Sequence, residues 1–368
     1  MTINVFIVDD SATARTALRL ILETSEDINV LGVASNPLIA LKRMVKTWPD
    51  VIISDIEMPE MDGIEFLHYI QKNKPTPFIV FSNHTGSSAV TSVEALARGA
   101  LDIIPKPNFG NSQSLEEASI EILNAVRAAA KLEKNKNFYN VGDLPSPTAE
   151  EEKPSLLSLA KRQKPEPPVM AEVPPLAREQ YSVIAIGSST GGTTIIEKIL
   201  TAMSPSCPGI VIVQHMPELF TKAFANRINQ FCRIHVKEAE DGDIIKPGLA
   251  LIAPGGMHMA VVRRLNGYFV HVFNGEYVNR HKPSVDVLFN SVAETFIHDA
   301  LGVILTGMGK DGAKGLLIMQ QAGANTIAQA EEDCAVYGMP KAAKAMGAVE
   351  MELNSPQIMT ALSRLTAR

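Results

Sequence analysis

Short apolar runs that break off into reactive side chains recur along this chain, and they restrict its fold more than any other feature. Ile3–Val8 is apolar apart from Asn4 and stops at Asp9-Asp10. Val51–Ser54 stops at Asp55, and Phe78–Phe81 at Ser82. Runs of this kind, without polar alternation, suit strands buried on both faces. Further strand candidates are Ile28–Val33 and Leu101–Ile104. Helical patterns separate them: Ser11 is placed to cap a helix whose apolar face is Ala14, Ala17, Leu18, Ile21 and Leu22. Others are expected near Pro37–Thr47, Gly63–Asn73 and Ser87–Arg98. Five strands alternating with helices imply right-handed βαβ units and a parallel sheet. Ligands of such a sheet gather outside the carboxyl ends of its strands. The residues that end the runs are therefore expected along one edge.

The pattern stops and then restarts. Glu133–Glu179 contains eight prolines between Pro145 and Pro175 and the run Glu150-Glu151-Glu152-Lys153. Proline fixes φ and removes donors, so a loose, partly extended tether is expected, with Leu156, Leu157 and Leu159 as a short docking turn in the alternative. From Tyr181 the runs return as Val183–Ile186, Ile210–Val213, Leu249–Ala253, Met259–Val262, Phe269–Phe273, Leu301–Leu305 and Asn325–Ala328. Helices are expected at Thr194–Met203 and Gly312–Gln321, and a β-hairpin around Asn266-Gly267. The division is residues 1–130, a linker 131–179, and 180–368. The last part is a second, doubly wound, mostly parallel α/β domain.

The bulk properties narrow the function. A chain of 368 residues with 46% hydrophobic content can bury two or three cores. A net charge of -6 argues against nucleic acid as the main partner. Three cysteines without metal-type spacing suit reduced thiols and a cytoplasmic setting. Neither a signal peptide nor a membrane-length apolar run is read, so no membrane insertion is expected. A monomer is the default.

In the first domain, Asp9, Asp10 and Asp55 are expected at neighbouring strand ends. Three carboxylates there repel one another unless a hard cation such as Mg²⁺ joins them. Ser82 and Lys106 would suit the oxygens of an acyl phosphate. Singly, each of these residues also fits a helix cap or a surface charge. Together with Met58-Pro59, Met61-Asp62-Gly63 and Lys106-Pro107, they make residues 1 to about 125 resemble a response-regulator receiver domain, which is flavodoxin-like. The resemblance implies Asp55 as phosphoacceptor and Mg²⁺ held by Asp9, Asp10, Asp55 and the Glu57 carbonyl. It also implies Ser82 as the switch hydroxyl, with Thr85 a nearby competitor, and Lys106 as the phosphoryl contact.

In the second domain, Gly187-Ser188-Ser189-Thr190-Gly191-Gly192 lies between a strand and a helix. Such a turn aims N–H groups at a positive helix end. Taken alone it reads first as a plain tight turn, with a serine nucleophile or a phosphate cradle as the functional alternatives. It lacks the GxGxxG pattern and the P-loop lysine. Two further strand ends, Gln214-His215-Met216-Pro217 and Thr306-Gly307-Met308-Gly309-Lys310-Asp311-Gly312, add a histidine and an aspartate. Ser, His and Asp at three strand ends form the set used in acyl transfer. His258 is the main rival base, and Asp311 also fits a helix cap.

These segments, with Pro283-Ser284-Val285-Asp286 and Tyr337-Gly338-Met339-Pro340, make residues 181 to 366 similar to the chemotaxis-type protein-glutamate methylesterases, the CheB family. Ser188 stands where that family commonly has alanine. The resemblance implies Ser189 as nucleophile, His215 as general base, Asp311 as its orienting carboxylate and the Met308 N–H as oxyanion donor, with no metal at this site. It implies hydrolysis of glutamate methyl esters and deamidation of glutamines on methyl-accepting chemoreceptors. A chemotaxis-type histidine kinase would supply phosphate, and the unphosphorylated receiver would block the cleft. The alternatives are a phosphorylation-controlled binding module on an inert hydrolase scaffold, and a nucleotide site in the glycine-rich loop.

Overall fold

The structure, a computed structural model, describes residues 2–83, 86–107, 112–132, 171, 173–174, 176 and 180–368. The proline-rich tether, its Leu156–Leu159 turn and Thr85 lie outside the described residues, apart from the stretches named here. Chain order in the first domain is β1 (Ile3–Val8), α1 (Ala12–Glu23), β2 (Ile28–Ala34), α2 (Pro37–Met44), β3 (Val51–Ser54), α3 (Gly63–Asn73), β4 (Phe78–Ser82), α4 (Gly86–Ala97), β5 (Asp102–Pro105) and α5 (Ser112–Leu132). The five strands form one parallel sheet in the order β2-β1-β3-β4-β5. Ser11 caps α1 as the sequence predicts, its Oγ accepting from the Ala14 N–H.

The second domain contains β6 (Gln180–Tyr181), β7 (Val183–Ser188), α6 (Gly192–Ala202), β8 (Gly209–Gln214), α7 (Phe220–Asn229), β9 (His235–Glu238), β10 (Leu249–Ile252), β11 (His258–Arg264), β12 (Gly267–Phe273) and α8 (Val285–Phe296). It continues through β13 (Ala300–Ile304), α9 (Ala313–Gln321), β14 (Asn325–Gln329), α10 (Met339–Ala345), β15 (Met351–Leu353), α11 (Ser355–Ser363) and β16 (Thr366–Ala367). Seven strands make a parallel sheet ordered β15-β14-β13-β7-β8-β10-β9. β11 and β12 form the expected antiparallel hairpin. β9 and β15 are additions to the sequence reading. They are short edge strands carrying His235, Lys237, Glu238 and Glu352, so no apolar run announces them.

The central strands are buried on both faces, which is why their sequences do not alternate. Ile184, Ile186, Ile210 and Ile212 pack into one apolar cluster, and Val183, Ala185, Val211 and Val213 into another across the sheet. Each such side chain stabilises the fold by roughly 1.5–3 kcal/mol. The chain starts at β7, builds outward through β8 and β10, then crosses back to β13. Such a reversal opens a crevice at the strand ends. β8, β7 and β13 are neighbours, with Ser188 paired to Gln214 and Gly187 to Ile304.

The two domains dock. Ala89, Val93 and Leu96 of α4 share one apolar cluster with Met216, Phe220 and Phe224, and α4 packs on α7 and α6. Ala335 and Val336 of the second domain join the cluster formed by α1 and α5.

Candidate functional site

Three loops leave the adjacent ends of β7, β8 and β13, and they carry Ser189, His215 and Asp311. His215 Nε2 lies 2.9 Å from Asp311 Oδ2. Both side chains are buried. Burial pushes the Asp311 carboxyl up. The His215 hydrogen bond and charge, the Asn279 amide and the Val285 N–H outweigh it and hold the carboxyl well below the usual range. Asp311 is therefore an ionised acceptor, and the shared proton sits on His215 Nε2. The other ring nitrogen, Nδ1, is buried with no hydrogen-bond partner. An imidazole with a bare Nδ1, lining the same cleft as a strand-end serine, can take up a hydroxyl proton.

Asp311 does cap a helix, but not the one that follows it. Its carboxylate accepts from the N–H groups of Val285 at 2.7 Å and Asp286 at 3.4 Å, at the start of α8. The positive end of that helix favours the anion. Asn279 Nδ2 and Ser284 Oγ add bonds of 2.7 and 2.8 Å to Oδ1. The His281 ring stacks on His215 with centroids 3.7 Å apart and planes at 8°. Burial, reinforced by the His215 charge, lowers the His281 pKa to about 3, so the stacking partner stays neutral. Sequence reasoning assigned no role to Asn279 or His281. Nothing in their local sequence ties them to Asp311 and His215, which lie 32 and 66 residues away.

The rivals separate in space. Ser188 Oγ is buried without a partner beneath Gly192. Ser189 instead lines a cleft together with His215 and Met216. His258 is buried, donates to the Glu276 carbonyl at 2.8 Å and accepts from the Ser284 N–H at 3.3 Å, so both nitrogens are spent on structure. Met308 follows Gly307, whose bare Cα abuts Ser189. A Cβ on Gly307 would stand 2.6 Å from Ser189 Cβ and 2.4 Å from Met339 Sδ. Gly307→Ala is thus expected to displace Ser189 and cut turnover by about 10²-fold, the usual cost of a 1 Å misplacement. Steady-state kinetics on the folded variant check it.

In the first domain, Asp9, Asp10 and Asp55 bring carboxylate oxygens within 4.8 Å of one another. Lys106 Nζ lies 2.5 Å from Asp55 and 2.8 Å from Asp9. Burial raises the Asp9 pKa, and the Lys106 ammonium only partly opposes it. Burial also lowers the Lys106 pKa, but its two carboxylate partners more than reverse this. The cluster thus holds more negative charge than Lys106 balances, as a divalent-cation site does. Asp55 Oδ1 accepts from the Ile56 and Glu57 N–H groups. Ser82 is buried at the end of β4.

The docked first domain covers the cleft. Leu96, Leu101, Asp102 and Ile103 face Ser189, Gln214 and His215 across a cavity of about 10 Å³. That holds one water and excludes a glutamyl side chain. Thr190, next to Ser189, donates through Oγ1 to Asp102 Oδ2 at 2.6 Å.

The chain is similar to known proteins over both domains. Residues 184–362 match the family model for CheB methylesterase, and residues 5–118 match that for the response regulator receiver domain. A Hahella chejuensis protein named protein-glutamate methylesterase/protein-glutamine glutaminase 2 is 46% identical over 97% of this chain and 94% of its own. A Shewanella oneidensis protein named protein-glutamate methylesterase/protein-glutamine glutaminase 3 is 48% identical over 95% of this chain and 96% of its own. The Thermotoga maritima CheB methylesterase catalytic domain superposes with a TM-score of 0.49 and 37% identity, over 50% of this chain and 98% of that one. The chain belongs to the CheB family of protein-glutamate methylesterase/protein-glutamine glutaminases, with an N-terminal response-regulator receiver domain.

Proposed function

We propose that this chain is a phosphorylation-activated serine esterase that hydrolyses glutamate γ-methyl esters on methyl-accepting chemoreceptors and deamidates receptor glutamines. The observation that carries it is the His215 ring, bonded through Nε2 to an ionised Asp311, bare at Nδ1 and lining one cleft with Ser189. Ser189 Oγ attacks the ester carbonyl as Nδ1 takes its proton. The Met308 N–H stabilises the oxyanion. The proton on His215 then leaves with methanol, or with ammonia when the substrate is a glutamine. Water, deprotonated by the same nitrogen, cleaves the acyl-enzyme to glutamate and regenerates Ser189.

The unphosphorylated receiver, residues 1–130, blocks this site; 131–179 tethers it to the catalytic domain, 180–368. Asp55 is the phosphoacceptor, Lys106 the phosphoryl contact and Ser82 the switch hydroxyl. Asp9, Asp10, Asp55 and the Glu57 carbonyl would hold Mg²⁺, which supplies positive charge for phosphoryl transfer when bound. A histidine kinase of the chemotaxis type is the phosphodonor. Ser88 of α4 donates to Glu57 Oε1 at 2.8 Å, so the loop after Asp55 is bonded to a helix that grips the esterase. Among the described residues no helix is long and apolar enough to cross a membrane. Three free cysteines fit a cytoplasmic setting.

The deciding experiment is methanol release from methylated receptor membranes by the full chain, with and without acetyl phosphate. Activation is expected. Equal rates would overturn the regulation, and no methanol in either case would overturn the esterase.

Asp102 offers a finer test. Burial raises its pKa to about 6, partly offset by the Thr190 bond and the His215 charge, and Glu121 adds a second carboxyl nearby. A carboxyl raised on docking stabilises the docked state at low pH, and that contribution is lost as pH rises through about 6. Asp102→Asn keeps an acceptor for Thr190 and removes the buried charge. It is expected to tighten repression at pH 7.5 several-fold and to flatten the pH dependence of docking around pH 6, leaving the part that Glu121 contributes near 7, whereas Asp102→Ala loosens it. Basal turnover, with an interdomain fluorescence distance as a second readout, checks both.

A further inference from the structure

We propose that Gln214 is a positioning residue for the esterase reaction, its carboxamide setting the relative placement of the nucleophile and base turns. The proposal rests on the serine-esterase reading above and goes beyond it. Gln214 is the last residue of β8 and is buried. Its Nε2 donates to the Ser189 carbonyl at 2.9 Å and to the His215 carbonyl at 3.1 Å. One planar amide therefore spans the main chains of the two residues that exchange the proton. The backbone adds a parallel tie, the His215 N–H donating to the Ser188 carbonyl at 3.0 Å.

The local packing is arranged around this amide. Gly192 opens α6 directly above it, and a Cβ there would stand 3.0 Å from Gln214 Oε1 and 1.6 Å from Ser188 Oγ. Glycine is what leaves room for both groups. Gln214 Oε1 and Ser188 Oγ are each buried without a partner and lie beside the same Gly192 carbon. The amide carbonyl is thus held by shape, while the two N–H bonds carry the positioning. A buried amide that meets only two carbonyls, both on catalytic turns, restrains those turns more than it restrains the sheet. Its loss lets the main chains of Ser189 and His215 shift relative to one another, while the ring stays anchored to Asp311 only through Nε2 and has no hydrogen bond at Nδ1.

A positioning role predicts a loss in kcat with KM nearly constant, because the groups that bind the receptor segment are untouched. Three variants of the full chain, each activated with acetyl phosphate, separate shape from donors. Gln214→Glu keeps the shape without the donors at pH 8, Gln214→Met removes both donors and acceptor, and Gln214→Asn keeps an amide too short to reach both carbonyls. The readouts are kcat and KM on methylated receptor membranes, and the rate of Ser189 labelling by a fluorophosphonate probe, which needs no receptor. Thermal unfolding reports the folded fraction. The expected order in both kcat and labelling rate is wild type, then Asn about 10-fold down, then Met and Glu about 100-fold down, with KM within about 2-fold. A folded Gln214→Glu or Gln214→Asn that labels at the wild-type rate overturns the proposal. So does a loss confined to KM, or one matched by the unfolded fraction. Ser189→Ala sets the zero for labelling. If it labels at the wild-type rate, the serine-esterase reading falls and the positioning role falls with it.

Discussion

Ser189→Ala lowers methanol release from methylated receptors by at least about 10⁴-fold, and His215→Ala does nearly the same. The double variant is scarcely worse than either, because a nucleophile and its base act as one unit. The residue left over comes from binding and oxyanion stabilisation, which neither substitution touches. The measurement is turnover under acetyl phosphate activation, with circular dichroism to show that each variant is folded. Ser188→Ala is the internal control. Its Oγ is buried under Gly192 and does not line the cleft, so its removal leaves turnover within about 3-fold of wild type. A folded Ser189→Ala that retains a tenth of the activity, or a Ser188→Ala that abolishes it, would move the nucleophile to another group.

Asp311→Asn has the second largest effect, about 10³–10⁴ in kcat, because it changes which ring nitrogen carries the proton. The wild-type carboxylate only accepts, which fixes the proton on His215 Nε2 and leaves Nδ1 free. An amide placed there has one accepting end. Five donors converge on it: His215, Asn279, Ser284, Val285 and Asp286. Some are left facing an NH₂ group, and each buried donor so stranded costs about 1–3 kcal/mol. Stability therefore drops along with activity. The pH dependence has a definite sign. Asp311 is held below the usual carboxylate range, so its contribution to stability is complete above the unfolded value near 3.8 and is lost as pH falls through the folded value. The gap in unfolding free energy between wild type and Asp311→Asn should be constant from pH 5 to 8 and shrink below about pH 4. A gap that grows on acidification would mean that Asp311 is not the ionised acceptor.

Sequence alone determined the parallel sheets and the three strand ends of the esterase. Unalternating runs such as Val183–Ile186 arise because each strand is sandwiched, so one-dimensional pattern and three-dimensional burial report the same constraint. It offered a serine, His215 and Asp311 as candidates because a crossover sheet sends successive strand ends to one edge, and the family resemblance singled out Ser189 over Ser188. The hairpin at Asn266-Gly267 was legible for a similar local reason. The edge strands β9 and β15 were not, because a strand open on one side tolerates polar residues.

Only the tertiary structure decided which nitrogen of His215 is free, that Asp311 caps α8, and that Asn279, His281 and Gln214 hold the site together. These depend on contacts between residues as far apart as 96 positions, which no local spacing encodes. That the receiver covers the cleft was expected from the family resemblance; the structure decided which residues join the two, Thr190 and Asp102, 88 positions apart. The hydrogen bond between them exists because α4 of the first domain packs on α7 and α6 of the second, and docking is a property of surfaces rather than of runs.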